Sequence, residues 1–294
     1  MEEKYADVAG VRTRYLEAGQ GEPLLLIHGG EYGRIANANA WDMAIGGFVR
    51  EGFHVYAPDK IGNGFSDHPA DESDLLIGTT VDHMLGFMKA LGIERAHVAG
   101  HSRGGYTATR LAVDHPERVA TLIVASSGTV MARFNPIYER WNEEVARIDD
   151  PREKVRHAIA ANSFDPAHIT DAYVDIHARI AARPETQATR RLMVAGARKR
   201  FIADVQEQQK ILQRRIQDGA LEAPTLVTWG LNDPSAVFDP VGVSAIQFFL
   251  AHAPRAEAHV FSRSGHYAFR EQAAAFVDVI AGYIARSGGK DVPR

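Results

Sequence analysis

The sequence predicts an α/β protein: a mostly parallel central sheet flanked by helices, with one inserted helical segment. Three observations predict it. Strand-length apolar runs alternate with helix-length amphipathic stretches over residues 1–130 and again over 223–294, the pattern of parallel strands joined by crossover helices. Between about Met131 and Glu222 the alternation stops, and the chain turns rich in Arg, Glu, Gln and Ala with helical patterning. The pentapeptide Gly100-His101-Ser102-Arg103-Gly104 sits where the apolar residues 96–99 give way to a helical pattern, which is the context of a strand, a sharp turn and a helix.

Each element follows from local chemistry. Residues 11–16 alternate like a strand, and Gly10 suggests a hairpin with the segment near Tyr5. Residues 23–27 form a continuous apolar run ending in His28-Gly29-Gly30, as expected of a strand covered on both faces. A helix over 41–50 closes at Gly52, and a buried strand over 53–57 leads into a turn-rich loop at 59–67. A helix over 81–91 stops at Gly92. The strand before the pentapeptide, a helix over 103–115 and a strand over 121–125 complete the first half. Pro136, Pro151, Pro166 and Pro184 divide the insertion into short helices. Strands return at 224–230 and 257–261, helices at 243–250 and 271–284, and the tail beyond Ser287 is expected to fray. The expected organisation is a core of residues 1–130 and 223–294 and a helical cap of residues 131–222. Such a cap would lie over Ser102 at the carboxyl ends of the strands, where open α/β sheets bind ligands.

Composition excludes several function classes. The 294 residues are 45% hydrophobic with a net charge of −4 and no long basic run, so nucleic acid is not an expected partner. With no cysteine, disulfides, thiolate catalysis and Cys-ligated zinc are ruled out. No His-Glu-x-x-His or other metal-ligand spacing occurs, so neither metal nor cofactor is expected. Met1-Glu2-Glu3-Lys4-Tyr5 lacks the apolar core of a signal peptide, and runs such as Leu24-Leu25-Leu26-Ile27 are too short to span a bilayer. The expectation is a soluble, cytoplasmic protein acting on a small molecule.

Ser102 carries the chemistry. A serine hydroxyl is a poor nucleophile at neutral pH and needs a base to take its proton and a carboxylate to orient that base. With the chain order Ser, acid, His, the acid is Asp233, after the strand ending Trp229-Gly230, and the base is His266, in Ser264-Gly265-His266-Tyr267. Asp239 is a rival acid lying further from its strand end. His252 and His259, at a helix end and inside a strand, read as structural. An oxyanion needs two N–H donors already aimed at it. Arg103, at the start of the elbow helix, offers one, and Gly30, in the loop after His28, offers the other. His101 and Tyr267 flank the nucleophile and the base and are candidate substrate-binding residues. The Arg103 side chain either meets an anionic substrate or turns outward to a surface partner. Arg179, Arg183, Arg190 and Arg191 read mainly as a solvated helical face.

With these residues assembled, the chain resembles the α/β-hydrolases along nearly its whole length, and among them the meta-cleavage product hydrolases, which split a carbon–carbon bond in ring-opened aromatic catabolites. The resemblance rests on Thr13-Arg14-Tyr15-Leu16-Glu17-Ala18-Gly19, His28-Gly29-Gly30, the elbow, Trp229-Gly230 with Asp233, and Gly265-His266. It implies a Ser102–Asp233–His266 triad, an oxyanion hole from the N–H groups of Gly30 and Arg103, no cofactor, and 2-hydroxy-6-oxo-dienoate substrates that ketonise before the bond beside the ketone is cleaved. An ester or lactone would use the same parts, making carboxylesterase or lactonase the alternative. Relatives are often dimers, so a homodimer is compatible. A triad-retaining small-molecule receptor and a hydroxynitrile lyase also occur on this fold, whereas dehalogenases and epoxide hydrolases of the fold normally carry Asp where Ser102 stands. Four departures bear on substrate: His101 replaces the frequent Asn, Tyr267 replaces Trp, Glu31-Tyr32-Gly33 alters the glycine-rich loop, and Ile176 stands near the position of the cap arginine that holds the substrate carboxylate. Arg179 or Arg183 are the residues placed to compensate.

Overall fold

The computed structural model describes residues 1–131 and 137–288. Its eight strands are β1 (Glu2–Val8), β2 (Val11–Ala18), β3 (Glu22–Ile27), β4 (Phe53–Pro58), β5 (Ala96–His101), β6 (Val119–Ala125), β7 (Thr225–Gly230) and β8 (Glu257–Phe261). They form one sheet in the order β1-β2-β4-β3-β5-β6-β7-β8. β1/β2 and β2/β4 are antiparallel, and every later pair is parallel. The sheet is therefore mostly parallel, as its apolar runs predict, with the expected hairpin at one edge.

Before the insertion lie α1 (Asp42–Arg50), α2 (Ile77–Ala90) and α3 (Arg103–Asp114). Between β6 and β7 come α4 (Ile137–Ala146), α5 (Pro151–Ala160), α6 (Asp171–Ala182), α7 (Pro184–Leu192) and α8 (Arg198–Gln217). The chain closes with α9 (Val243–His252), α10 (Ala268–Glu271) and α11 (Ala273–Gly288). Pro151 and Pro184 each open a helix, where a missing N–H costs nothing. Pro136 and the residues beyond 288 lie outside the described residues.

The continuous apolar runs divide between two layers. On β3, Leu25 and Ile27 join one buried cluster while Leu24 and Leu26 join another, because successive side chains leave a strand on opposite faces. The first cluster takes Met84, Phe87 and Met88 of α2, Tyr106 and Leu111 of α3, and Phe249 of α9. The second takes Ile45 and Phe48 of α1 with Phe276, Ile280 and Tyr283 of α11. Within the insertion, Val155 and Ile159 of α5 pack with Tyr173 and Val174 of α6 in a separate small cluster. α8 behaves differently: Phe201, Val205, Leu212 and Ile216 pack into the first core cluster.

Two elements differ from expectation for identifiable reasons. α2 starts at Ile77, four residues earlier than its periodicity suggests. The Ile77 N–H donates to Asp204 Oδ2 at 2.8 Å, so the cap of this helix comes from α8, remote in sequence. The expected helix over 271–284 is α11, which starts only at Ala273 because Gln272 leaves helical geometry at φ −135°, ψ 49° and separates it from the short α10.

Candidate active site

β5 delivers Ser102 onto the N-terminus of α3. Ser102 has φ 54°, ψ −122°, a left-handed backbone that a serine adopts only at a cost. The turn is held from three sides: Ser102 N–H donates to the Ala125 carbonyl at 2.9 Å, Gly105 N–H to the Ser102 carbonyl at 2.9 Å, and Ser127 Oγ–H to the same carbonyl at 2.5 Å. The flanking glycines are a matter of space. A Cβ on Gly100 would lie 2.1 Å from the Gly104 carbonyl oxygen, and one on Gly104 would lie 2.3 Å from that of Ile27. Arg103 begins α3, so its N–H belongs to the first helical turn and has no partner within the helix.

The loop after β3 presses on this turn. A Cβ on Gly29 would approach the Ser102 Cβ at 2.9 Å. Gly30 has φ 81°, which glycine adopts freely. His28 is fully buried, with Nδ1–H toward the Gly29 carbonyl at 2.8 Å and Nε2 accepting the Lys60 N–H at 3.0 Å. Burial pushes its pKa well down, so it stays neutral. Beneath the loop, Lys60 Nζ donates to the Gly30 carbonyl at 3.1 Å. Burial and then the Arg103 charge lower the Lys60 pKa to about 7.

Asp233 and His266 meet. His266 Nδ1 lies 2.6 Å from Asp233 Oδ2, and both residues are buried. The other carboxylate oxygen accepts from Ser235 N–H at 2.9 Å, Ser235 Oγ–H at 3.1 Å and Ala236 N–H at 2.8 Å. The carboxylate is thus fixed at both oxygens, and the rival Asp239 is not the partner of this histidine. The histidine loop is tied to the insertion: His266 N–H donates to the Asn162 carbonyl at 2.8 Å. Glu271 accepts N–H groups from Gly265 at 3.0 Å, Phe164 at 3.0 Å and Asp165 at 3.1 Å. Burial raises the Glu271 pKa against these hydrogen bonds. A Cβ on Gly265 would come within 2.6 Å of the Phe164 nitrogen.

His101 is buried, and its Nε2 lies 2.9 Å from the carbonyl oxygen of His266. That contact requires an N–H on Nε2. Burial pushes the pKa of the ring well down, with the nearby His266 adding to the effect. Its ring centroid is 4.4 Å from that of His266 and 4.7 Å from that of Phe269. Tyr267 is half-buried between the insertion and the core, 5.6 Å from the His266 ring and 5.8 Å from His168.

The Arg103 side chain points to a partner in the loop after β3. It turns to Glu31, Nη2 to Oε2 at 3.0 Å. Glu31 also takes Arg198 Nε at 3.0 Å and Arg34 Nε at 3.4 Å. Neither Glu31 nor Arg198 stands out in the sequence; Glu31 is visible only as a departure in the glycine-rich loop. Arg183 Nη1 donates to the carbonyls of Gly64 at 2.6 Å and Ser66 at 3.3 Å, and the Arg179 guanidinium lies 5.2 Å from the Phe65 ring. Both are therefore engaged with the loop after β4. Among the described residues no cluster of His, Asp and Glu could hold a metal ion, and no helix is long and apolar enough to cross a membrane.

Comparison with known proteins agrees with this architecture. Residues 22–273 match the model of the α/β hydrolase fold family. The chain is 30% identical over 282 residues to the 2-hydroxymuconate semialdehyde hydrolase of Pseudomonas sp. (strain CF600), covering 95% of this chain and 92% of the relative. It is 30% identical over 283 residues to the 2-hydroxy-6-oxo-6-phenylhexa-2,4-dienoate hydrolase of Burkholderia cepacia, covering 95% and 93%. Among solved structures it is similar to a meta-cleavage product hydrolase from Pseudomonas fluorescens IP01, with 27% identity, 97% and 98% coverage and a TM-score of 0.78. The mostly parallel sheet, the strand–turn–helix at Ser102 and these near full-length matches place the chain in the α/β-hydrolase family, among the meta-cleavage product hydrolases.

Proposed function

We propose that this hydrolase cleaves a carbon–carbon bond in a ring-opened aromatic catabolite of the meta-cleavage type, without a cofactor, through Ser102, His266 and Asp233. The observation that carries the catalytic assignment is the 2.6 Å Asp233–His266 contact on loops of the strand-end edge where β5 delivers Ser102. In the proposed reaction the dienol first ketonises. His266 takes the Ser102 proton as the hydroxyl oxygen adds to the ketone carbon. Asp233 keeps Nδ1 protonated and the ring in line. Negative charge on the former carbonyl oxygen meets the N–H groups of Gly30 and Arg103. When that oxygen re-forms its double bond, the adjacent carbon–carbon bond breaks. Its electron pair passes into an enolate, which takes the proton from His266, and water then releases the acyl group from Ser102. Residues 131–222 act in this reading as the cap over Ser102, and His101 and Tyr267 line the side of the base. An ester would differ only in the leaving alkoxide.

The test is direct. The wild-type protein is mixed with the coloured dienoate of 2-hydroxy-6-oxo-6-phenylhexa-2,4-dienoic acid and, separately, with simple aryl esters. Loss of the dienoate colour with release of benzoate supports the reading; turnover of esters alone removes it in favour of an esterase or lactonase. His266→Ala should keep the fold by circular dichroism and lower turnover by several orders of magnitude, on the scale of triad losses. A near-normal rate would overturn the assignment of the base. The absence of cysteine fits a cytoplasmic setting. A homodimer is checked by light scattering, where a species of monomer mass at micromolar concentration excludes it.

A further inference from the structure

A buried lysine stands under the loop after β3 without an acid to pair with. Lys60, in the loop after β4, is 1% exposed, and among the described residues its ammonium group donates to the Gly30 carbonyl at 3.1 Å and to no carboxylate. Asp59, next in the chain, is taken by Arg14 Nη1 at 3.4 Å and by the N–H groups of Ala38 at 2.6 Å and Phe65 at 2.8 Å. The other groups that face Lys60 are the rings of His28, of His83 on α2 and of His101 on β5, and the Arg103 guanidinium on α3. Burial keeps the three rings neutral, and Glu31 pairs with Arg103. An ammonium group shut away from water with one neutral acceptor destabilises a fold, so its place needs another reason.

Lys60 holds the loop at two points. Its backbone N–H donates to His28 Nε2 at 3.0 Å, which leaves the proton of the neutral ring on Nδ1, and Nδ1–H takes the Gly29 carbonyl at 2.8 Å. The Gly29–Gly30 peptide is trans, so its N–H points opposite to its carbonyl, and the Gly30 N–H is turned away from the His28 ring. The next carbonyl, that of Gly30, is held by Lys60 Nζ. Both peptide planes that meet at the Gly30 Cα are thus fixed, and with them its φ of 81°. The same loop lies against the Ser102 turn, where a Cβ on Gly29 would stand 2.9 Å from the Ser102 Cβ. We propose that Lys60 is a positioning residue of the oxyanion site: its main chain seats His28, its ammonium group seats Gly30, and the positive charge it keeps under the loop supports the negative charge that develops on the substrate oxygen. The proposal rests on reading Ser102 as the nucleophile and the Gly30 N–H as an oxyanion donor. Away from water such a charge acts at longer reach than in solution.

The experiment reads the serine itself, so that it does not depend on which bond is cleaved in turnover. Full-length wild type, Lys60→Met and Lys60→Gln are treated with diethyl 4-nitrophenyl phosphate, an uncharged ester that transfers its diethyl phosphoryl group to a reactive serine and releases nitrophenolate. The rate of mass gain at Ser102 is followed from about pH 5.5 to 9.5. Burial and then the Arg103 charge lower the Lys60 pKa to about 7, so the wild-type rate should fall as pH rises through that value and the ammonium group loses its proton. Lys60→Met should be about tenfold or more slower at pH 6 and should show no such fall. Lys60→Gln, which keeps an N–H of shorter reach without the charge, should also lose the fall and serves if Lys60→Met disturbs the loop. Stability should move the other way: Met in place of an unpaired buried charge should leave the urea midpoint at pH 6 unchanged or raised. An alkaline fall that is missing in the wild type or persists in both variants overturns the proposal, as do variant rates within about twofold of the wild type or a midpoint that drops together with the rate. A wild-type protein that takes no phosphoryl group on Ser102 overturns the nucleophile reading, and this inference with it.

Discussion

At Glu31 burial and charge act in opposite directions, and charge wins. Burial alone would raise its pKa; Arg103, Arg34 and Arg198 together bring it down to about 2. Because the folded value lies below the ordinary value of 4.5, the unfolded chain binds the proton first as pH falls. The stability from this pairing is therefore complete above pH 4.5 and is lost as pH falls toward 2. Urea unfolding of the wild type and of Glu31→Gln should show the wild type more stable at pH 6 and the gap closing between pH 4.5 and 2; a gap independent of pH would refute the pairing. His101 is a second residue whose role depends on a distant partner. Its Nε2–H holds the backbone of His266, and a displacement of about 1 Å at a catalytic group can cost about a hundredfold in rate. His101→Gln keeps an N–H donor at a similar reach and should retain most of kcat. His101→Ala should lower kcat roughly ten- to a hundredfold with little change in KM. A change confined to KM would instead make His101 a substrate contact, which is the role its neighbouring position to Ser102 suggests from sequence.

The strand-end loops show which parts of the site were legible in the sequence. The pentapeptide and the buried strand runs are local patterns, and each stands in the structure at the expected place; of the order Ser, acid, His, the structure shows the contact of the last two. What escaped is built from contacts between residues far apart: the Asp204 cap on α2, the Glu271 carboxylate that joins the His266 loop to residues 164 and 165, and the three arginines on Glu31. A carboxylate facing a backbone N–H across a hundred residues leaves no periodic trace. α8 is the clearest case. Its composition reads as a solvated helix, yet Phe201 is 1% exposed, its ring lies 5.7 Å from that of Tyr32, and the Arg103 guanidinium stands 5.4 Å away. α8 is thus a wall of the core as much as part of the insertion. Phe201→Ala should destabilise the whole protein by about 3–5 kcal/mol, as for other large-to-small core changes. Core and insertion should still melt together in calorimetry. A separate low-temperature transition would mean that α8 belongs energetically to the insertion alone.

Across the whole molecule, the buried histidines set the acid limit of stability. His83 and His177 are held at about 4 by burial, His68 and His168 likewise, and His28 and His101 are pushed well down. All are neutral in the folded protein at pH 6 and regain an ordinary value near 6.5 when the chain unfolds. Between pH 6.5 and about 4 the unfolded state binds more protons than the folded one, so acid drains stability throughout that window. The buried carboxylates Asp59 and Asp42, whose pKa values are raised by burial, act with the opposite sign. They bind protons in the folded state before the unfolded chain does, and so work against the histidines. Each proton taken up on unfolding contributes about 1.4 kcal/mol per pH unit. The unfolding free energy, measured by urea denaturation at successive pH values, should therefore fall between pH 6 and 5 by more than the slope of a single proton. Replacing His83 with Gln, which keeps polar atoms for Thr13 and the Ile61 N–H, should make that slope shallower by close to one proton. A slope of one proton or less in the wild type would mean that these rings are not neutral when folded, and that the tight seating of His28 and His101 beneath the reactive loops is not what keeps their nitrogens uncharged.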